Sequence, residues 1–326
     1  MNDVLKVGII GCGGIARSHL EAIAQSDAIQ AVAMGDNLAQ RAEAYAKEFG
    51  AEKAYSDTAQ LLADPNVQAV HVCLPHDLHH AVCIAAANAG KHILVEKPIA
   101  LKSTDAEEMM AAADANNVRF MVGHVLRFRE VNIQARRIIA DGKIGQPVSV
   151  VRRRMGYCRH DTLPAWHADP KHMGNFAIYG FGTHEVDTIL WTLDTEAKRA
   201  FSAGRVAAPV WGNEDEVSTI LELANGAIAS YTQSLNARQG AHDCIYIGTE
   251  GSLSVGHTQL DLNGKIIEVE PDGGHGMAAQ IHEFARACLE EREPLSSARD
   301  CMRTQRTLDA MWRSVQTGQV VEVQGS

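Results

Sequence analysis

The sequence lacks several things, and each lack closes off a class of protein. It has no surplus of positive charge: 30 Lys and Arg stand against 40 Asp and Glu, a formal net charge of −10. A chain so acidic offers no general field for nucleic acid, because phosphate binding needs a basic surface. The acidity reads as a contribution to solubility. There is no cysteine framework either. Cys12, Cys73, Cys83, Cys158, Cys244, Cys288 and Cys301 make an odd set of 7 with no C-x-x-C, so neither disulfides nor a zinc site are expected. They read as small core residues in a reducing compartment. No apolar run approaches the roughly 18–20 residues that span a bilayer, and no signal peptide precedes the first strand. A cytoplasmic protein with no membrane partner is therefore expected. Internal repeats, low-complexity tracts and flexible linkers are also missing. What remains is 326 residues, 46% hydrophobic and 21% charged, enough for one large or two ordinary domains with a substantial core.

Against that background one stretch stands out, Gly11-Cys12-Gly13-Gly14-Ile15-Ala16. It follows an apolar run, 4–10, that reads as a buried strand, and it opens a segment, 16–25, with helical spacing. G-x-G-x-x-A in that position is the dinucleotide-binding fingerprint. Gly11 permits the tight turn, Gly13 leaves room for a pyrophosphate, and Ala16 lets helix and strand approach. The amides of Gly13, Gly14 and Ile15 stand at a helix N-terminus, whose unpaired N–H groups and dipole suit a diphosphate. A second strand, 29–34, ends at Gly35-Asp36. An acidic side chain there accepts hydrogen bonds from a ribose and repels an additional phosphate, which favours NAD over NADP; Arg41, one turn on, keeps NADP open. Asp36 also suits the N-cap of the helix that follows.

Strands and helices then alternate. Strands are expected at 67–73, 91–95 and 118–122, and helices at 79–89 and, from the capping-box pattern Thr104-Asp105-Ala106-Glu107, from about 105 onward. This is the pattern of a doubly wound parallel sheet, the α/β class, with ligands at the carboxyl ends of its strands. Beyond Gly123 the character changes. A helix at 130–141 leads to a strand from 148, a helix at 182–193, and strands at 217–223, 227–235, 243–248 and 252–255. Asn263-Gly264 marks a hairpin, and helices follow at 277–290 and 298–315. The expected organisation is a Rossmann domain over 1–123 and, over 124–326, an α+β domain with a large, mainly antiparallel open sheet.

Taken in order, several pieces resemble the glucose–fructose oxidoreductase, inositol dehydrogenase and rhizopine-catabolism (Gfo/Idh/MocA) oxidoreductase family. They are the glycine turn, Leu74-Pro75-His76 with His79, Ala89-Gly90-Lys91-His92 leading to Glu96-Lys97-Pro98, Arg127-Phe128, Gly182-Thr183-His184-Glu185-Val186-Asp187, and Gly248-Thr249-Glu250-Gly251. The resemblance implies that Leu74, Pro75, His76, His79, Glu96 and Lys97 line the cofactor. It implies a cis peptide before Pro98, and Lys97 and His184 as the catalytic pair beside the nicotinamide. Chemistry suits the pair: an imidazole takes the hydroxyl proton, and an ammonium stabilises the charge growing on that oxygen. It further implies a homodimer or homotetramer formed through the second sheet, and a nucleotide site without metal.

The sequence also departs from the family. Where members carry an aspartate four residues before the histidine, this chain has Gly180, and the glycine run upstream is altered to Gly174-Asn175-Phe176. Tyr179 is adjacent but about 100° away around a helix. Asp187 stands at i+3 from His184, placed either to orient its ring or to serve the structure. Arg127, Tyr157, Trp166, His167 and Tyr179 are the candidate substrate residues. The segment 157–171 has no regular period and reads as a loop over a pocket. His160, His167 and His172 show no metal spacing. Arg152-Arg153-Arg154 is a basic cluster in an acidic chain, read either as a seat for a carboxylate or phosphate or, preferred here, as a solvated or subunit-facing strand. The expected activity is hydride transfer between NAD and a secondary hydroxyl, or its carbonyl, of a sugar, cyclitol or related cyclic compound. The alternatives are elimination or glycosidic cleavage through transient oxidation, and a non-catalytic regulator that binds the nucleotide.

Overall fold

The computed structural model describes residues 4–270 and 276–325. The chain forms two compact units, Met1–Val125 with Gly274–Cys301, and Leu126–Gly273 with Met302–Ser326.

The first unit is built on a six-stranded parallel sheet in the order β3-β2-β1-β4-β5-β6. Its strands are β1 (Leu5–Ile10), β2 (Ile29–Gly35), β3 (Lys53–Tyr55), β4 (Ala69–Val72), β5 (His92–Val95) and β6 (Phe120–Val122), and the connecting helices are α1 (Gly14–Ile23), α2 (Ala39–Phe49), α3 (Thr58–Leu62), α4 (His79–Asn88) and α5 (Ser103–Ala115). This is the dinucleotide-binding strand order. Parallel strands covered on both faces lose the apolar–polar alternation; β4 and the last three residues of β5 are buried throughout. α5 starts at Ser103, two residues before the capping box places it, and no side chain caps it. The Thr104 hydroxyl instead turns to Asp105, at 3.5 Å.

The sequence boundary near Gly123 omits a return. α9 (Met277–Leu289) belongs to the first unit and packs on α1. Its buried Ile281, Phe284, Ala285 and Cys288 recur at helical spacing, and such a stripe must find an apolar partner.

The second unit carries a nine-stranded sheet in the order β14-β13-β12-β11-β7-β10-β9-β8-β15. The strands are β7 (Pro147–Tyr157), β8 (Ala197–Arg205), β9 (Glu216–Leu223), β10 (Ile228–Ser234), β11 (Asn236–Gly248), β12 (Ser252–Val255), β13 (Gln259–Leu262), β14 (Lys265–Glu268) and β15 (Val321–Glu322). All pairings are antiparallel except β7 with β10. The β13–β14 turn has Asn263 at φ 55° and Gly264 at φ 85°, the left-handed pair that a two-residue hairpin requires. α6 (Glu130–Ala140), α7 (Pro170–Met173), α8 (Thr183–Thr192) and α10 (Ala298–Thr317) complete the elements. A turn of π-helix, Phe176–Gly182, leads into α8. Segment 157–171, expected to be irregular, holds short helical turns at 160–162 and 165–168. Among the described residues no helix is long and apolar enough to cross a membrane.

Candidate active site

In the first unit the predicted nucleotide residues share one edge, the carboxyl ends of β1, β2, β4 and β5. Gly11 sits at φ +91°, and a Cβ there would meet the Cys73 carbonyl oxygen at 2.4 Å and the Leu74 side chain at 2.8 Å. The first glycine is therefore needed both for its conformation and for close packing against the Leu74-Pro75 turn. At Gly13 and Gly14 a Cβ would meet nothing within 4 Å. That open space lies where α1 begins, its first amides unbonded within the helix, so the cradle fits a diphosphate. Tyr45 of α2 braces it, its hydroxyl donating to the Gly13 carbonyl at 3.0 Å. Ile15 is 40% exposed beside the cradle.

Asp36 turns its carboxylate inward. Oδ2 accepts from the Cys12 amide at 2.9 Å and Oδ1 from the Leu38 amide at 2.9 Å. It thus closes a turn before α2 and ties β2 to the glycine loop; the N-cap position itself is Leu38. Arg41 Nη1 lies 3.5 Å from Oδ2. Burial, with Asp36 alongside, pushes the Cys12 thiol up to about 12, so it is inert at neutral pH.

His79 is buried beneath the site. Its Nδ1 lies 2.9 Å from the Pro98 carbonyl and its Nε2 3.0 Å from the Leu74 carbonyl. Burial lowers its pKa, against the upward pull of these carbonyls. Thus His79 is a strut joining the two loops rather than a surface for a ligand. His76 is buried, with its ring 5.7 Å from that of His79. The Lys97–Pro98 peptide is cis. Lys97 is half-buried at the end of β5.

Beneath Lys97 lies a polar chain that the sequence reading missed. Glu96 Oε1 is 2.9 Å from His19 Nε2, and His19 Nδ1 is 3.1 Å from His71 Nδ1. All three side chains are buried. Glu96 Oε2 accepts from the backbone N–H of Lys97 at 3.2 Å. Burial acts to raise the Glu96 pKa, but the bond from His19, its charge and that of Lys97 bring it below the usual value. The ionised carboxylate only accepts, so His19 Nε2 carries a hydrogen. Burial, then His19, pull His71 well below the ordinary imidazole range. Its Nε2 meets no hydrogen-bond partner among the described residues, and its ring stands edge-on to Phe284 of α9, 5.4 Å away. Gly123 completes the packing, since a Cβ there would lie 2.9 Å from Glu96 Oε1. The available signal was the position of His19, at i+3 from Ala16 on the buried face of α1.

In the second unit His184 is half-buried in the first turn of α8. Its carbonyl accepts from Thr188 Oγ1 at 2.7 Å. Asp187 belongs to the structure. Arg127 Nε donates to its Oδ2 at 2.8 Å, Arg127 Nη2 to its Oδ1 at 2.6 Å, and Thr304 Oγ1 to the same Oδ1 at 2.9 Å, all buried. Arg127 is therefore spent on a core ion pair and is removed from the substrate candidates. Tyr179 is removed too: it is buried, its hydroxyl donates to Asp309 at 3.4 Å, and burial with Asp309 holds its pKa well above the usual value. Tyr157 is exposed on the outer face of β7, under the Arg238 guanidinium at 3.6 Å. Trp166 and His167 do come together, ring centroids 3.9 Å apart, over Phe176 and its cluster with Met173, Trp211 and Leu235.

The two departures at 176 and 180 are one. A Cβ at Gly180 would lie 2.2 Å from Phe176 Cδ2. The Phe176 ring occupies the volume where a side chain of residue 180 would begin, so an aromatic surface stands where a carboxylate is expected.

A 3-2-1-4-5-6 parallel sheet with an open glycine cradle at its carboxyl edge defines a Rossmann-type dinucleotide-binding protein. Residues 5–124 match the oxidoreductase family with NAD-binding Rossmann fold, and residues 132–254 match the GFO/IDH/MocA C-terminal domain. The chain belongs to this family, and it is an oxidoreductase that uses NAD. It is 28% identical over 328 residues to 1,5-anhydro-D-fructose reductase of Ensifer adhaerens, covering 97% of this chain and 98% of that one. It is 29% identical over 320 residues to scyllo-inositol 2-dehydrogenase (NAD(+)) of Bacillus subtilis, covering 94% and 89%. Levoglucosan dehydrogenase in complex with NADH and levoglucosan shares the fold at TM-score 0.92 and 23% identity, covering 98% and 99%.

Proposed function

We propose that the enzyme oxidises a secondary hydroxyl of a sugar, cyclitol or related cyclic compound, or reduces the matching carbonyl. The names of the relatives support that substrate class. The observation that carries the reading is the place of Lys97, half-buried at the end of β5, with its backbone N–H on Glu96 and its loop tied by His79 to the Leu74 turn that packs on Gly11. The amides of Gly13, Gly14 and Ile15 bind the cofactor's diphosphate, and Asp36 is the group for its ribose. The bound cofactor supplies the hydride acceptor. His184 takes the hydroxyl proton, and the Lys97 ammonium donates to the same oxygen and stabilises its growing charge.

Lys97→Ala lowers turnover by about 10²–10⁴ and leaves NAD affinity near wild type. This is measured by NADH absorbance across a panel of cyclic polyols and by equilibrium NAD titration. Full turnover in the variant removes Lys97 from the mechanism. If the two groups act on one oxygen, Lys97→Ala and His184→Ala combine with less than the product of their separate losses.

Location and assembly belong to the same reading. Seven free cysteines fit a reducing compartment and support the reading of a cytoplasmic enzyme. A homodimer or homotetramer is supported by the outer face of the nine-stranded sheet. There Phe201 pairs with Ile220, Ile220 with Ser230 and Ser230 with Val151, a row whose three apolar members are exposed.

A further inference from the structure

The basic cluster at the end of β7 divides between the two faces of the sheet. Arg153 points outward, is exposed, and pairs with Asp243, its Nε donating at 2.9 Å. Arg152 and Arg154 point inward, toward α8, where both meet Glu185. Arg152 is buried and makes the close pair with that carboxylate. Arg154 Nε stands 3.7 Å from Glu185 Oε1, too far for a hydrogen bond, and is buried without a hydrogen-bond partner among the described residues. His242, opposite Arg154 on β11, places Nε2 3.4 Å from Arg154 Nη1, 3.2 Å from Arg152 Nη2 and 3.4 Å from Glu185 Oε1. The Arg154 guanidinium lies 4.4 Å over the Phe181 ring, and its side chain keeps 29% exposure.

Charge decides what such a group is for. Burial acts to raise the Glu185 pKa, but Arg152, then His242 and Arg154, hold it at about 2, so it carries one full negative charge. Two guanidiniums face that one carboxylate, and guanidiniums do not deprotonate. One positive charge is left over, on the arginine that stays accessible. Gly180 contributes no carboxylate, and Asp243 is turned to the other face. A partly exposed guanidinium stacked on an aromatic ring, with an imidazole beside it, is a charged donor suited to a carboxylate. A single surplus charge matches a monoanion better than a phosphate, which carries about −1.5 to −2.

We propose that Arg154, backed by Phe181 and His242, is an anion seat that selects substrates bearing a carboxylate, such as uronates and other cyclic hydroxy acids. His184 immediately precedes Glu185 in α8, so the proposed base and the seat share one helical turn. The inference rests on the reading of His184 as a substrate-facing residue and deepens it: the enzyme acts on acidic rather than neutral hydroxy compounds.

The test is calorimetric titration of the enzyme loaded with NADH, which cannot accept a hydride from a hydroxyl compound, with matched pairs, D-glucuronate against D-glucose and D-galacturonate against D-galactose. Binding is read without turnover, so loss of the seat and failure of hydride transfer are separate results. The acid of at least one pair binds about 10- to 100-fold more tightly than its neutral partner. Arg154→Gln abolishes that preference, Arg154→Lys retains part of it, and Arg153→Gln on the outer face retains all of it. Acids that bind no tighter than their neutral partners overturn the proposal, as does an Arg154→Gln variant that keeps the preference. Glucose 6-phosphate binding more tightly than glucuronate overturns the choice of carboxylate. A folded Arg154→Gln protein is verified by its circular dichroism and by an unchanged melting temperature.

Discussion

Both units bury carboxylates, and the two units hold them in different ways. In the first, Glu96 is met by an imidazole, which passes the contact to a second imidazole, His71. In the second, Asp187 is held by both arms of Arg127, and Glu185 by Arg152. An imidazole can shed its proton and remain a hydrogen-bond donor; a guanidinium cannot shed its charge. The first arrangement tolerates loss of the negative partner better. The second is a fixed charge pair, which stiffens the packing around α8 and makes any leftover guanidinium, such as Arg154, conspicuous.

Neutralising the two acids should expose this difference. Asp187→Asn strands a buried guanidinium and is expected to cost about 3–5 kcal/mol. Glu96→Gln keeps an acceptor for His19 and is expected to cost about 1.5–3 kcal/mol. Urea unfolding of both variants measures the gap, and equal losses would mean that the His19 contact is worth as much to Glu96 as the Arg127 pair is to Asp187.

Gly180→Ala probes the second unit alone. Its Cβ collides with Phe176 at 2.2 Å, which predicts a loss of about 1–3 kcal/mol from overpacking. Phe176→Leu in the same chain should recover most of it. An additive double variant would show that residues 176 and 180 do not share a volume.

The smallest effect concerns pH in the first unit. Burial, then His19, hold His71 well below the ordinary imidazole range when folded. As pH falls below about 6.5 the unfolded chain takes up a proton first, so the stability contributed by neutral His71 is present above that pH and lost beneath it. His79 and His92, both lowered chiefly by burial, act in the same sense. His71→Leu should flatten the stability slope between pH 7 and 5 by up to about 1.4 kcal/mol per pH unit. An unchanged slope would show that His71 titrates alike in both states.

Much of this was legible beforehand, and the reason is local. The glycine turn, the strand–helix alternation and the Asn263-Gly264 hairpin are written in residues that touch their own neighbours. Boundaries were less secure. β3 and β15 went unrecognised because edge strands of three and two residues carry too few residues for a pattern, and the nine-residue β8 because its buried positions do not alternate regularly. Lys97 and His184 were proposed from motifs, whereas the buried partners of Arg127 and Tyr179, Asp187 and Asp309, were not legible. Nothing near Arg127 in the sequence shows that Asp187, sixty positions away, uses both its donor arms.

By itself, then, the sequence determined the glycine turn and the class of the first domain, since backbone conformation acts at short range. The tertiary structure alone decided which charges are spent and which are left over. It sent α9 back to α1, turned Arg152 and Arg154 inward and Arg153 outward, and filled the space beside Gly180 with Phe176. Those outcomes depend on burial and on partners far apart in the chain, and neither is written in the spacing of residues.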